Sequence, residues 1–513
     1  MMRPVFRSSH ACRGALVACA LATARCATSV PPPAPPPPPA AVPSASAPQP
    51  AASIVDPLGP RPEILPPPAF APPSPEVFKT AQGITIWLFE RHQAPIVSCD
   101  LTVPTGASSD PKGKAGLTYA TAAMLDEGAG KRGALELARA LDELGARLGT
   151  DTNADASFVS LTVLKKNLSK AFLLFADVVT RPRFEPAEFT RVKDLWTNEL
   201  REREKDPDAT ARVVYRAALF GVDHPYGHPW DGTPQSAKAI GLDDVKRLYP
   251  TIWRPDRATV VCAGDVVRQE LATAFDEAFG AWKAPPGAPP APVVPPPPRG
   301  PWPRVVLVDR PDAPQSVIAA LKPGLAAADP RQPVLWRVND AIGGSFSSRL
   351  NQDLREGRGY TYGARSRYSI SRGPGQVVSW ANVVTDKTGD ALKAMLADLG
   401  TFASGGLNED EVERTRWQAR GELVGVYESV EAIAGHLAAN ASLGLPPDWE
   451  AQATQKRDAA GKPELDALAR QFYDPTDAII VVVGPRSRIQ PMIETAGLPA
   501  AEIRDAEGNV VKK

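Results

Sequence analysis

The strongest constraint on the fold is a duplication. The run Arg254-Pro255-Asp256-Arg257-Ala258-Thr259-Val260-Val261 leads into Cys262-Ala263-Gly264-Asp265. The run Asp474-Pro475-Thr476-Asp477-Ala478-Ile479-Ile480-Val481 leads into Val482-Val483-Gly484-Pro485. Each follows an aromatic residue, Trp253 or Tyr473, and each reaches a glycine just before a helical stretch. A short apolar, β-branched run after turn residues reads as a buried strand. Its recurrence after about 200 residues is too long a period for a solenoid and fits tandem α+β domains of ordinary size.

The boundaries follow from composition. Proline is abundant, at 56 of 513 residues, and it is clustered, so it marks linkers. Residues 27–75 are a Pro/Ala-rich stretch that cannot bury apolar surface and reads as an extended tether. Residues 284–303 form a second proline-rich linker. The expected domains are then residues 76–283 and 304–505. In the first, strands are expected at 84–89, 96–103, 158–164 and 258–263, and helices at 116–126, 134–144, 168–179, 188–203 and 267–282. In the second, strands are expected at 305–308, 316–320, 376–383 and 478–483, and helices at 334–342, 387–399 and 409–426.

Residues 1–26 read as an export signal. Arg3, Arg7 and Arg13 precede the short apolar run Ala15–Ala24, and Ala22-Thr23-Ala24 is an A-x-A cleavage pattern. The apolar run is too short to span a bilayer as a helix. Cys26 stands where a bacterial lipoprotein carries its lipidated cysteine, but Arg25 fills a small-residue position. Leu16-Val17-Ala18-Cys19 fits a lipobox with little apolar run ahead of it. Export to a bacterial envelope is expected, as a periplasmic protein or a lipid-anchored one, with Cys19 and Cys26 both open as anchors. The other cysteines, Cys99 and Cys262, fall in strand-like runs and are expected as buried free thiols rather than a disulfide. Lys+Arg and Asp+Glu both number 58, a balance that argues against a nucleic-acid partner.

The richest stretch is Gly343 to Gly363, GGSFSSRLNQDLREGRGYTYG. Gly343-Gly344 punctuate the chain, and Ser345 is the expected N-cap of a helix. Leu350 and Leu354 share one helical face. Gly357 and Gly359 suit a helix end and a reversal, and Tyr360-Thr361-Tyr362 opens a β-rich run. Arg355 and Tyr362 stand seven positions apart near one corner. From the residues alone, Arg355 reads as an exposed helical cation and Tyr362 as a strand tyrosine packed in the core.

This stretch resembles the second homologous domain of pitrilysin/insulinase-type zinc metallopeptidases, and the resemblance spans about Val77 to Leu498. It implies, for each domain, a mostly antiparallel sheet packed against helices. It also implies that Arg355 and Tyr362 bind the substrate backbone and stabilise the oxyanion formed when water attacks a peptide carbonyl.

Catalytic members of that family carry H-x-x-E-H on a helix of the first domain, two metal ligands around a general base. Carried over position by position, Tyr119 replaces the first histidine, Ala122 the base and Ala123 the second histidine. Glu199, in Asn198-Glu199-Leu200, occupies the place of the distant glutamate ligand. Alone it cannot hold zinc, and it reads as a surface charge on an amphipathic helix. No cofactor is expected in this chain. His224 and His228 sit in Asp223-His224-Pro225-Tyr226-Gly227-His228-Pro229, where proline after each histidine excludes a helix. They match a structural loop of the family. His92 and His436 are isolated.

The implied role is a subunit inactive alone that lends Arg355 and Tyr362 to a zinc-bearing homologous partner in a heterodimer. Zinc would reside in the partner, and the substrates would be peptides or unfolded segments held extended along a sheet edge. A non-proteolytic scaffold of the same fold is the alternative.

Overall fold

The computed structural model describes residues 65, 68–287, 294–297 and 304–511. The export signal and most of the tether lie outside the described residues. Two six-stranded sheets carry the fold. The first contains β1 (Glu76–Lys79), β2 (Thr85–Glu90), β3 (Ile96–Val103), β4 (Arg147–Thr152), β5 (Ser157–Leu164) and β6 (Thr259–Gly264), in the order β1-β2-β6-β3-β5-β4. The second contains β7 (Val305–Asp309), β8 (Gln315–Pro323), β9 (Thr361–Ser369), β10 (Gln376–Val384), β11 (Ile479–Gly484) and β12 (Glu502–Arg504), in the order β12-β7-β11-β8-β10-β9.

Five strands of each sheet correspond one to one. The repeated runs of the sequence are β6 and β11, each parallel to one neighbour and antiparallel to the other. The remaining pairs are antiparallel, apart from β12 with β7. This is the expected α+β architecture. Strands β1, β4 and β12 were not legible: β4 is too polar (Arg147, Thr150, Asp151, Thr152), and the others are four and three residues long.

Each sheet buries one face under helices of its own half. Ile86, Leu88, Val97, Leu101, Phe172, Phe175 and Phe275 are central to the first core, and Ile318, Leu350, Leu354, Phe402 and Ile480 to the second. The opposite faces are also apolar, and the chain covers them by exchange. Helix Pro207–Phe220, from the first half, lays Ala211, Val214, Ala218 and Leu219 on Val317, Ala319, Leu321, Val481 and Val483 of the second sheet. Helix Val430–Ser442, from the second half, lays Ile433, Ala434 and Leu437 on Trp87, Val261 and Ala263 of the first. Burying large apolar side chains at roughly 1.5–3 kcal/mol each makes both contacts strong.

The two core cysteines are joined, which corrects the free-thiol expectation. Cys99 of β3 and Cys262 of β6 form a disulfide across 163 residues. The antiparallel register sets them directly opposite one another, and no local sequence signal reveals that. Replacing both by alanine is expected to cost about 2–4 kcal/mol, chiefly by freeing the unfolded chain. Urea midpoints with and without reductant measure this, and identical midpoints would refute it.

Candidate functional site

Helix Leu117–Ala123 holds the degenerate motif and is shorter than the 116–126 expected. Gly116 adopts φ +88° at its start. The half-buried Asp110 carboxylate caps it, accepting from Gly116 N (2.7 Å), Thr118 N (2.9 Å) and Thr118 Oγ1 (2.6 Å). Burial pushes Asp110 up to about 7, against the pull of those hydrogen bonds. Sequence reasoning missed this residue, because its acceptors are used six to eight positions downstream.

Tyr119 turns its ring toward Trp196, with centroids 5.7 Å apart. The Trp196 indole N–H donates to Asp231 O at 2.8 Å. Glu199 lies one turn beyond Trp196 on helix Pro186–Lys205 and is exposed. The fold therefore brings Tyr119 against the helix that carries Glu199, with an aromatic pair between. Ala122 is buried and Ala123 half-buried. A phenol, two methyl groups and one exposed carboxylate do not fit zinc, which takes three or four nitrogen, sulfur or carboxylate ligands.

The histidines are engaged elsewhere. His224 stacks on Phe220 (5.1 Å) and accepts from Tyr226 N at 3.0 Å. His436 contacts Glu450 at 2.7 Å, and His92 contacts Asp265 at 2.7 Å. Among the described residues, no group of three or more His, Cys, Asp or Glu side chains is placed to hold a metal ion. Elemental analysis of the purified chain is expected to find no stoichiometric zinc. About one tightly held zinc per chain would overturn this.

The Arg355–Tyr362 corner is built differently from its sequence reading. Residues Asp340–Gly344 and Gln352–Gly357 are π-helical, with one α-helical turn, Arg349–Asn351, between. Gly343 and Gly344 are close-packing positions rather than turn punctuation. A Cβ on Gly343 would lie 2.3 Å from Ser366 N, and one on Gly344 2.4 Å from Asp340 Oδ1. Ser345 is not the N-cap. Ser348 holds that position without a side-chain cap, while Ser345 Oγ donates to Asp340 O and accepts from Arg414.

Leu350 and Leu354 are fully buried and fix the helical face. Gly359, at φ +65°, reverses the chain, and Tyr360 N closes back on Leu354 O at 2.9 Å. A bulge then opens β9 against β10 between Ala381 and Val383. Thr361 Oγ1 locks it, donating to Asn382 O (2.7 Å) and accepting from Gly363 N (3.1 Å). Bulges re-aim side chains, and this one faces outward. The Tyr362 ring is 90% exposed, so it is not the core tyrosine that the residues alone suggest.

Arg355 is partly exposed. Its guanidinium lies 4.8 Å from the Phe346 ring centroid, and its Nε is 3.2 Å from Glu356. Stacking on an aromatic face holds a guanidinium in place while leaving its N–H edge available. Phe346 is itself 67% exposed. Buried Asn351 ties the corner together, donating to Phe346 O at 2.8 Å and accepting from Ala364 N at 3.3 Å. Neither Phe346 nor Asn351 stood out in the sequence, although both lie within the quoted stretch. The edge of β9 is occupied in part: Asn351 takes Ala364 N, and Asn339 Nδ2 donates to Ser366 O at 3.2 Å.

Comparison with known proteins agrees with this architecture. Residues 86–223 match the family described as Insulinase (Peptidase family M16), and residues 239–419 match the Peptidase M16 inactive domain. An uncharacterized zinc protease of Streptomyces coelicolor is 29% identical over 322 residues, covering 62% of this chain and 70% of that protein. The crystal structure of a peptidase M16 inactive domain from Pseudomonas fluorescens superposes with a TM-score of 0.75 at 22% identity, over 80% of this chain and 98% of that one. A chain of complex III2 from Candida albicans does so with a TM-score of 0.70 at 16% identity, over 82% and 99%. Both halves thus match M16 domains in sequence and the whole matches M16 structures in fold, so this chain belongs to the insulinase (M16) peptidase family.

Proposed function

We propose that this chain is the zinc-less half of a two-chain M16 peptidase and lends Arg355 and Tyr362 to a zinc-bearing homologue. The observation that carries this reading is the corner itself. A tyrosine 90% exposed on a locked bulge, at the same chain reversal as an arginine held on Phe346, has no role in the core of this chain. Both groups are hydrogen-bond donors, and oriented donors around a peptide carbonyl stabilise the charge that develops on its oxygen. Water activation would fall to the partner's metal, because Ala122 and Ala123 can neither ligate a metal nor move a proton and Tyr119 turns its ring to Trp196.

Export to an oxidising compartment, with or without a lipid anchor, belongs to the same proposal. The Cys99–Cys262 bridge supports it, since such bonds persist in secreted and periplasmic proteins. The resemblance to a chain of complex III2 favours the second reading, a scaffold of the same fold.

The test is co-purification from native membranes, followed by peptide cleavage assays on the isolated chain and on the recovered pair. A zinc-bearing homologue that cleaves peptides only with this chain present is the expected result. Recovery of the monomer alone, or a complex without peptidase activity, would leave the scaffold.

A further inference from the structure

The outward face of β9 carries more charge than the mechanism above uses. Arg365 and Arg367 are exposed and lie two residues apart on the face opposite the core-facing Ala364, Ser366 and Tyr368. Two-residue spacing on a strand puts their Cα atoms about 6.8 Å apart on one face. Neither guanidinium has a hydrogen bond or ion pair with any described residue. Directly opposite them on β10 are Trp380 and Val378.

Arg216, on the exchanged helix Pro207–Phe220, adds a third guanidinium. It lies 5.0 Å from the Trp230 ring centroid. Burial pulls its pKa below the usual guanidinium value; Asp231 and Asp155 oppose that, and Arg367 reinforces it. Those two carboxylates are already committed: Asp231 to Arg203 at 2.5 Å, and Asp155 to Tyr226 Oη at 2.5 Å and Arg372 N at 2.9 Å. In a chain with no net charge, this leaves a local positive surface on β9, the strand that carries Tyr362, with Trp380 beside Arg365 on β10 and Trp230 against Arg216.

We infer that this surface selects acidic peptides: an extended segment bearing carboxylates at alternate positions docks on Arg365 and Arg367, with Arg216 behind them. The spacing fits because alternate side chains of an extended peptide project to one side at the same interval of about 6.8 Å. Arginine forks suit carboxylates, and the tryptophans suit the aliphatic stems. This inference rests on the peptide-binding role proposed above and names the class of peptide.

The test uses the full chain and three fluorescent peptides, identical except for a central Glu-x-Glu, Gln-x-Gln or Lys-x-Lys, with dissociation constants from anisotropy. The Glu peptide is expected to bind about three- to tenfold more tightly than the Gln peptide at low salt, with the Lys peptide weakest and the preference fading as salt rises. The double variant Arg365→Glu/Arg367→Glu, at exposed positions, should keep the native melting curve and lose or reverse the preference. Equal binding of all three peptides, no binding of any, or a preference that survives the double variant would overturn the inference. The arginines would then only guard a sheet edge against aggregation. Binding of a single-stranded oligonucleotide in place of the Glu peptide would overturn it too. Equal peptide affinities with intact, Tyr362-dependent turnover in the pair would sink the charge preference alone. A charge preference without Tyr362-dependent turnover would sink the proposed function instead.

Discussion

Tyr362→Phe is expected to lower kcat of the reconstituted pair by roughly 10²–10³-fold, the usual loss when one oxyanion donor is removed. The substitution deletes a hydroxyl and keeps the ring. That hydroxyl makes no hydrogen bond within the described residues, and the ring is 90% exposed. Folding should therefore be untouched, with a change in stability within about 0.5 kcal/mol. Arg355→Ala should raise KM as well as lower kcat, since the guanidinium would meet the substrate before and during attack. It should cost little stability, because the lost stack on Phe346 is a surface contact worth about 0.5–1 kcal/mol. The checks are kcat, KM and a melting curve for each variant, with assembly confirmed by gel filtration. Unchanged turnover in an assembled pair would leave this chain a scaffold.

The opposite profile is expected of Arg337, whose guanidinium is fully buried. It donates to Val412 O (2.6 Å), Arg457 O (2.6 Å) and Ala460 O (3.0 Å), and so joins helices Gln332–Asn339, Glu409–Val426 and Trp449–Ala459. Arg457 and Ala460 lie at a helix C-terminus, where carbonyls have no intrahelical partner. Arg337→Met keeps much of the volume and removes every donor. Val412 O keeps the Thr415 hydroxyl at 3.2 Å, but Arg457 O and Ala460 O lose their donor. At roughly 1–3 kcal/mol for each buried acceptor left unpaired, a loss of at least about 2 kcal/mol is expected, read from the urea midpoint. Arg337→Lys should rescue only part of it, because a single ammonium cannot span three diverging carbonyls. A loss below about 1 kcal/mol for Arg337→Met would show that water or relaxed backbone replaces the guanidinium.

Much of this molecule is written locally in its sequence. The β-branched runs at 258–263 and 478–483 announce the matching strands β6 and β11, and the repeat announces two similar halves. The gaps have physical causes. The disulfide joins residues distant in sequence and visible as partners only through strand register. The exchanged helices Pro207–Phe220 and Val430–Ser442 are ordinary amphipathic segments, and nothing local tells which sheet they cover. At the candidate site, the residue types at 119, 122 and 123 were legible, since an alanine cannot ligate. The outward turn of Tyr362 was not, because it depends on a bulge set by the Thr361 hydroxyl. Arg337 gave no sign, for a buried arginine looks like a surface one until its carbonyl partners are known.

The exchange of helices has a mechanical consequence. Prising the two halves apart would strip Ile433, Ala434 and Leu437 from one sheet and Val214, Ala218 and Leu219 from the other at the same moment. Both wounds would be apolar, and at roughly 1.5–3 kcal/mol for each large side chain among them the cost would be comparable to the whole stability of a typical domain. The chain is interlocked, a single stiff jaw rather than a hinged pair. If this chain pairs as proposed, a mouth that opens and shuts on a peptide would therefore hinge outside it, where it meets the partner.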